Sequence, residues 1–303
     1  MKSLDERGKL VRRSRALADY ESVPSGCFAL ELGEGPVWNP VTQTLSIVDI
    51  FERQVHLLDL DNSQVRHRGE FSTEGDIGAA LPLSDGSYVL CESGGVFLRA
   101  PDGTRSLVCD LPSSGFDLRF NDGKLGPDGK LWVGVMDYAA TEGRGSLWRI
   151  GRDGESQCLL NGLTIPNGLD WWGDEFWFVD GPEEVVSCYR WDESGLSAVN
   201  RRFVTDGTPD GLSIDSQGDL WLALWGEGRV DHFNREGHVV DSVSVASPHS
   251  TSLCFAGRGL DTLVMTSAQF NMSPEDLAQL ERAGDLFLLP VPRRGRIPHL
   301  EFH

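Results

Sequence analysis

One short pattern recurs six times along this chain at nearly constant spacing, and that periodicity narrows the available architectures sharply. A loop carrying Gly or Asp leads into an apolar strand: Leu45-Ser46-Ile47-Val48, Tyr88-Val89-Leu90, Leu131-Trp132-Val133, Phe176-Trp177-Phe178, Leu220-Trp221-Leu222 and Thr262-Leu263-Val264-Met265. The first residues of these segments lie 43, 43, 45, 44 and 42 positions apart. A period of about 40–50 residues with several strands per unit is the signature of a β-propeller. Every repeat of such a fold sends an equivalent loop to one central channel, so residues far apart in sequence can meet there.

Each apolar strand is followed by a second recurring hairpin, as in Gln54-Val55-His56-Leu57-Leu58, Gly145-Ser146-Leu147-Trp148-Arg149 or Gly284-Asp285-Leu286-Phe287-Leu288. Most of these hairpins meet a turn of the Asp-Gly kind, such as Pro101-Asp102-Gly103 or Arg152-Asp153-Gly154. Turns of this composition supply positive φ at little cost and join antiparallel strands. An earlier apolar stretch, such as Gly168-Leu169-Asp170-Trp171, precedes each Trp-type strand. The expectation is an all-β, six-bladed β-propeller with four antiparallel strands per blade. One helix is predicted, over Ser273–Arg282, where Ser273-Pro274-Glu275-Asp276 offers an N-cap, a Pro at N1 and an acidic first turn. It reads as a short helical insertion in the last blade.

The repeats occupy residues 27–303, and residues 1–26 read as an N-terminal extension. Lys2, Arg7, Lys9, Arg12, Arg13 and Arg15 make its first part basic, whereas the whole chain carries a formal charge of −19. That charge repels nucleic acid and anionic membranes, so neither is expected as a partner. No apolar h-region follows the basic residues and no apolar run approaches the length of a membrane span. The six cysteines show no CxxC spacing and several fall in strand-like runs, which predicts reduced thiols and a cytoplasmic protein.

The functional reading rests on where polar residues interrupt the repeat. Glu34, Asn121, Asn167 and Asp210 precede the second strand of their blades by 11, 10, 9 and 10 residues. They share one phase, at the entrance to the inner strand, which in a propeller faces the channel near one mouth. Blades two and six have the small Gly78 and Ser252 there. Two carboxylates and two carboxamides converging without Cys or His suit one hard divalent cation, Ca²⁺, Mg²⁺ or Mn²⁺, with Zn²⁺ tolerated. The alternative at each position is local, because Asn and Asp beside Gly are ordinary turn formers. No GxSxG elbow, GxGxxG after a strand, phosphate loop or HExxH is present. His249 falls near the inner-strand phase of blade six and reads as a loop histidine.

With those residues in view, the chain resembles the regucalcin/gluconolactonase (senescence-marker-protein-like) family from about Gly33 to Leu289. The resemblance rests on Gly33-Glu34-Gly35-Pro36-Val37-Trp38, Arg119-Phe120-Asn121-Asp122-Gly123-Lys124, Pro166-Asn167-Gly168-Leu169-Asp170-Trp171 and Pro209-Asp210-Gly211-Leu212-Ser213-Ile214-Asp215. It implies a divalent metal held by Glu34, Asn167 and Asp210. It also implies substrate contacts from Arg119 and Asn121, and opening of a small-molecule sugar lactone to the aldonic acid. Two features depart from the animal regucalcins. The loop after Met136, with Asp137 and Glu142 as its acidic residues, is shorter, and Leu224-Trp225-Gly226 places a bulky Trp near the channel, as in the bacterial sugar lactonases.

Asp210 is the expected catalytic base, because Glu34 is the only other carboxylate at that phase. Two other functions fit the same residues: hydrolysis of other lactones or esters, and calcium binding by a propeller without catalysis.

Overall fold

The computed structural model describes residues 3–4, 10–11, 13–61, 64–111 and 117–303, and of these the side chains of 3–4, 10–11, 13–19 and 198–200 are not described. The basic residues at the start of the N-terminal extension therefore lie outside the described side chains. Six antiparallel sheets follow one another along the chain, each running from an inner to an outer strand. Their inner strands are Gly33–Asn39, Ile77–Pro82, Leu118–Leu125, Pro166–Trp172, Thr208–Ile214 and Ser250–Ala256. This is the six-bladed propeller that the repeat predicts.

The local chemistry explains the strands. The second strands are buried along most of their length, and in Leu131–Asp137 throughout, pressed between neighbouring blades on both faces. Buried on both sides, they show continuous apolar character rather than alternation. Outer strands such as Ser156–Leu163 face water and are mostly exposed or half-buried. The tight turns use left-handed glycines: Gly129 has φ 68° and Gly103 has φ 90°. In each turn the preceding Asp accepts the amide of the residue after the glycine, at 3.1 Å for Asp128 and Lys130 and 2.8 Å for Asp102 and Thr104.

Large aromatic side chains fill the wedges between blades. Trp132 of blade 3 meets Trp171 and Phe176 of blade 4, with ring centroids 5.4 and 4.9 Å apart. Trp132 Nε1 donates to Asp128 Oδ1 at 3.2 Å, and Arg149 Nε donates to Asp128 Oδ2 at 2.6 Å, so the Trp132 indole and the Arg149 guanidinium share one carboxylate. Blade 5 repeats the arrangement with His232 in place of the arginine, stacked on Trp221 at 4.2 Å.

Closure of the ring uses both ends of the chain. The outer strand of blade 6 is Val23–Pro24, paired antiparallel with Leu288 and Phe287. A proline is tolerated there because the edge strand needs no further donor. Ser25 Oγ and the Gly26 amide donate to the Asp285 carboxylate at 2.6 and 2.7 Å, fastening the same junction. Arg13–Glu21 lies parallel to Val239–Ser244 as a fifth strand on blade 5. The helix is Pro274–Gln279, capped by Ser273 Oγ, which accepts the Asp276 amide at 3.1 Å. Among the described residues no helix is long and apolar enough to cross a membrane. All six cysteines are free: Cys91 and Cys188 are buried, whereas Cys27 and Cys158 are exposed.

The inner strands approach one another closely around the axis. A Cβ on Gly78 would sit 2.5 and 2.6 Å from the carbonyl oxygens of Phe120 and Asn121. Gly78→Ala is therefore expected to destabilise the protein by about 1–3 kcal/mol through overpacking against backbone. Urea unfolding of the variant checks this, and an unchanged midpoint would show that the strands can move apart freely.

Candidate active site in the central channel

The site is built by a repeated irregularity of the inner strands. In blade 3 Phe120 pairs with Val135 and Gly123 with Val133, so Asn121 and Asp122 together oppose one residue. Blade 4 does the same with Asn167 and Gly168, and blade 5 with Asp210 and Gly211. In blade 1 the bulge follows directly after Glu34, between Glu34 and Val37. A β-bulge bends its strand and re-aims the side chain it carries. Here it sits at the one phase where the polar residues interrupt the repeat.

Glu34, Arg119, Asn121, Asn167 and Asp210 all line a single cavity of about 370 Å³. The five residues expected from sequence to form a site are thus gathered in one place. Arg119 Nη1 donates to Asn121 Oδ1 at 2.7 Å and to the Phe120 carbonyl at 3.0 Å. Asn121 Nδ2 donates to Asn167 Oδ1 at 3.1 Å and to the Pro166 carbonyl at 3.0 Å. Asn167 in turn hydrogen-bonds the Asp210 side chain. The contacts of Asn121 Nδ2 and the Asn167–Asp210 bond run between blades, so the asparagines are not closed into local turns. Asn121 uses both ends of its carboxamide within the protein, which gives it the part of a strut between Arg119 and Asn167.

The electrostatics of the pair Glu34 and Asp210 are unusual. Both are buried, at 8% and 5% exposure. Burial first, and then the nearby Asp122 carboxylate, push Glu34 up to about 8 from an ordinary 4.5, against the opposing Gly35 amide and Arg119. Burial and the Glu34 charge raise Asp210 well above the usual carboxylate range. Asp210 Oδ1 is buried with no hydrogen-bond partner. An orphaned carboxylate oxygen in a polar cavity that holds two crowded carboxylates and a carboxamide fits a hard cation, because a divalent charge there satisfies the oxygen and relieves the repulsion.

Several contributors were not legible in the sequence. Asp122, the second residue of its bulge, is a third buried acid whose charge acts on both Glu34 and Asp210. Its only signal was the Asn-Asp-Gly composition, which also describes a turn. Tyr138, Ala139 and Ala140 of the short loop after Met136 line the cavity, whereas Asp137 and Glu142 do not. The Asp137 carboxylate instead accepts from the Ala139 amide and from Arg144, at 2.7 and 2.9 Å. Tyr138 Oη donates to Asp76 at 2.6 Å, and burial together with that carboxylate pushes it up to about 12.

An apolar wall of Phe51, Phe270 and Trp225 faces the polar residues. Phe51 and Phe270 are in ring contact at 5.1 Å, and His249 stacks behind Trp225 at 4.1 Å, which fixes the indole. At its other end the channel is stopped by the C-terminal segment. Arg296 Nη2 donates to Asp170 Oδ1 at 2.6 Å, with Lys124 Nζ 4.0 Å from Asp170 Oδ2. Burial works against the Asp170 charge, yet these two cations and two backbone amides hold its carboxyl below the ordinary range.

With this geometry in place, comparison with known proteins defines the class. The SMP-30/gluconolactonase/LRE-like region matches residues 32–269, and the chain belongs to that family. It is 32% identical to the pentonolactonase XacC of Haloferax volcanii over 279 residues, 88% of this chain and 92% of that protein. It is 29% identical to the 6-deoxy-6-sulfogluconolactonase of Pseudomonas putida over 268 residues, 86% and 91% of the two chains. The crystal structure of regucalcin from Agrobacterium tumefaciens, described as a calcium-binding protein, superposes with a TM-score of 0.86 at 26% identity. That match covers 95% of this chain and all of the other. Lactonase is thus an activity named among members of the family.

The raised carboxyls have a measurable consequence in cation-free protein. A carboxyl raised on folding binds its proton more tightly in the native state, so its contribution to stability is full at low pH and lost as pH rises. For Glu34 the window runs from 4.5 to about 8, with a slope of up to about 1.4 kcal/mol per pH unit. Carboxyls lowered by folding, such as Asp170, act below that window and with opposite sign. Three histidines held below 6.5 by burial, His56, His249 and His299, act with opposite sign in the lower part of this window. Melting temperatures in chelator should therefore fall from above pH 6.5 to about 8, and Glu34→Gln should flatten the decline. A stripped protein whose stability rises through this range would contradict the assignment.

Proposed function

We propose that this protein is a divalent-cation-dependent lactonase that opens a sugar lactone to its aldonic acid. The observation that carries the reading is the buried, unpartnered Oδ1 of Asp210 inside a cavity shared with Glu34, Asn167 and Arg119. Glu34, Asn167 and Asp210 would hold the cation through their side-chain oxygens. Bound there, a divalent cation supplies Lewis-acid polarisation of a carbonyl oxygen and a charge that keeps both carboxylates ionised.

The chain's own groups supply the rest. Asp210, once ionised, accepts a proton from a water as that water's oxygen bonds to the lactone carbonyl carbon. The ring C–O bond breaks, and the same proton passes from Asp210 to the departing ring oxygen, leaving a hydroxyl and a carboxylic acid. The acid ionises at neutral pH, so each turnover releases a proton to solvent. Arg119 is anchored through Nη1 and orients ring hydroxyls with the rest of its guanidinium fork. Asn121 holds Arg119 and Asn167 in register. Phe51, Phe270 and Trp225 offer a flat apolar wall suited to the C–H face of a small ring, and they keep bulk water off the reacting carbonyl.

A pH-indicator assay with aldonolactones and wild-type protein should report acid release above the spontaneous rate. Asp210→Ala and Asn167→Ala should each lower kcat/KM by about 10²-fold or more, with folding retained by circular dichroism. Exhaustive chelation should abolish activity, and Ca²⁺, Mg²⁺, Mn²⁺ or Zn²⁺ should restore it. Full activity in stripped protein would overturn the cation requirement. Arg119→Ala is expected to raise KM more than it lowers kcat, because its contacts are made in the ground state as well.

A further inference from the structure

Outside the channel, the outer pair of strands in blade 1, Gln54–Asp61 and Gln64–Ser72, carries a cluster that the proposed activity does not use. His56 stands opposite Glu70 in the pairing register. Two pairs further on the register slips: Leu57 faces Gly69 but Leu58 faces His67, so Arg68 is an extra residue. In an unbroken strand, residues three apart point to opposite faces. The bulge brings His67 round beside Glu70 instead. Comparable bulges occur in the outer pairs of blades 2 to 5, but only in blade 1 does one gather two imidazoles and a carboxylate among the described residues.

The distances are those of a ligand set. Glu70 Oε2 lies 3.3 Å from His56 Nδ1 and 3.3 Å from His67 Nε2. The three donor atoms all fall within 4.8 Å of one another. Ligands bound at roughly 2.0–2.1 Å to a tetrahedral ion stand about 3.3–3.4 Å apart. The His56 Nδ1 atom is buried and makes no hydrogen bond, in spite of its approach to Glu70. The His56 ring is braced by Phe28, which packs against it edge-on at 5.3 Å, so the nitrogen is held in its direction. His67 and Glu70 are about half exposed, which leaves a path for an ion and a fourth position for water.

We propose that His56, His67 and Glu70 form a second metal site, selective for Zn²⁺ and similar borderline transition ions. Two imidazoles and one carboxylate suit Zn²⁺ and disfavour Ca²⁺ or Mg²⁺, which prefer oxygen ligands throughout. The channel site, with oxygen ligands alone, would take Ca²⁺ or Mg²⁺ as well as Zn²⁺, whereas the blade 1 site would reject the first two. The other cluster of similar spacing, Asp215, Asp219 and His232, also has a buried nitrogen without a hydrogen bond, His232 Nε2, but protein closes it in and both carboxylates already have cationic or N–H neighbours. Trp221 stacks on His232 and donates to Asp215, and Arg293 lies 3.4 Å from Asp219.

The test uses full-length, chelator-stripped protein carrying Asp210→Asn, so that the channel no longer competes for the ion. Equilibrium dialysis should find one Zn²⁺ bound per chain, and Co²⁺ in its place should give the intense visible absorption of a four-coordinate site. Adding His67→Ala or Glu70→Gln should weaken Zn²⁺ binding by about a hundredfold or more, with folding checked by circular dichroism. If Asp210→Asn impairs folding, the same comparison is made between wild type and His67→Ala in excess Ca²⁺. Absence of Zn²⁺ binding, or equal affinity with and without His67, would overturn the proposal.

Discussion

Six inner strands can close round one axis only if their backbones come almost into contact, and the rest of this structure depends on how that crowding is met. Where two strands press together, the side chain is missing or small. Gly78 faces the Phe120 and Asn121 carbonyls, Gly168 faces the Asp210 carbonyl, and Gly211 faces Ser252. Where a bulge opens the ladder, there is room for a polar side chain to enter the channel. Packing and function therefore share one phase of the repeat. A residue there is either small enough to let the ring close or polar enough to line what remains.

The cost of this arrangement is electrostatic. Glu34, Asp122 and Asp210 are placed in a narrow, dehydrated channel, where burial raises all three above the ordinary carboxylate range. A neighbouring carboxylate adds to it: Asp122 for Glu34, Glu34 and Asp122 for Asp210, and Asp170 for Asp122. Arg119 compensates only in part, because burial also weighs against its own charge. The opposite end of the channel is resolved differently. Asp170 meets Lys124 and Arg296 and is held ionised, and the C-terminal segment covers it. One end is thus neutralised by protein and the other is left short of positive charge. That contrast, more than any single residue, distinguishes the end that needs a ligand.

Much of the fold was legible in the repeat, because strand alternation and turn chemistry are local and leave a periodic trace. The Ser273 cap and the Pro274 start of the helix were equally local. The last blade was less legible. Its outer strand comes from Val23–Pro24, a two-residue segment with no pattern of its own, which becomes a strand only by pairing with Phe287 and Leu288. The bulges left no mark in composition either, since a bulge is a relation between two strands and not a property of one.

For the site, the sequence by itself determined which residue types recur at one phase: Glu34, Asn121, Asn167 and Asp210, with Arg119 beside them. That much follows from counting, because equivalent positions of a propeller face a common axis. Only the tertiary structure decided what those residues do to one another. Asn121 came to bridge Arg119 and Asn167, Asp122 joined the acidic group, and Phe51, Phe270 and Trp225 from three different blades made a wall. Burial, charge coupling and cross-blade hydrogen bonds depend on distances in space, and no spacing along a chain encodes them until the ring has closed.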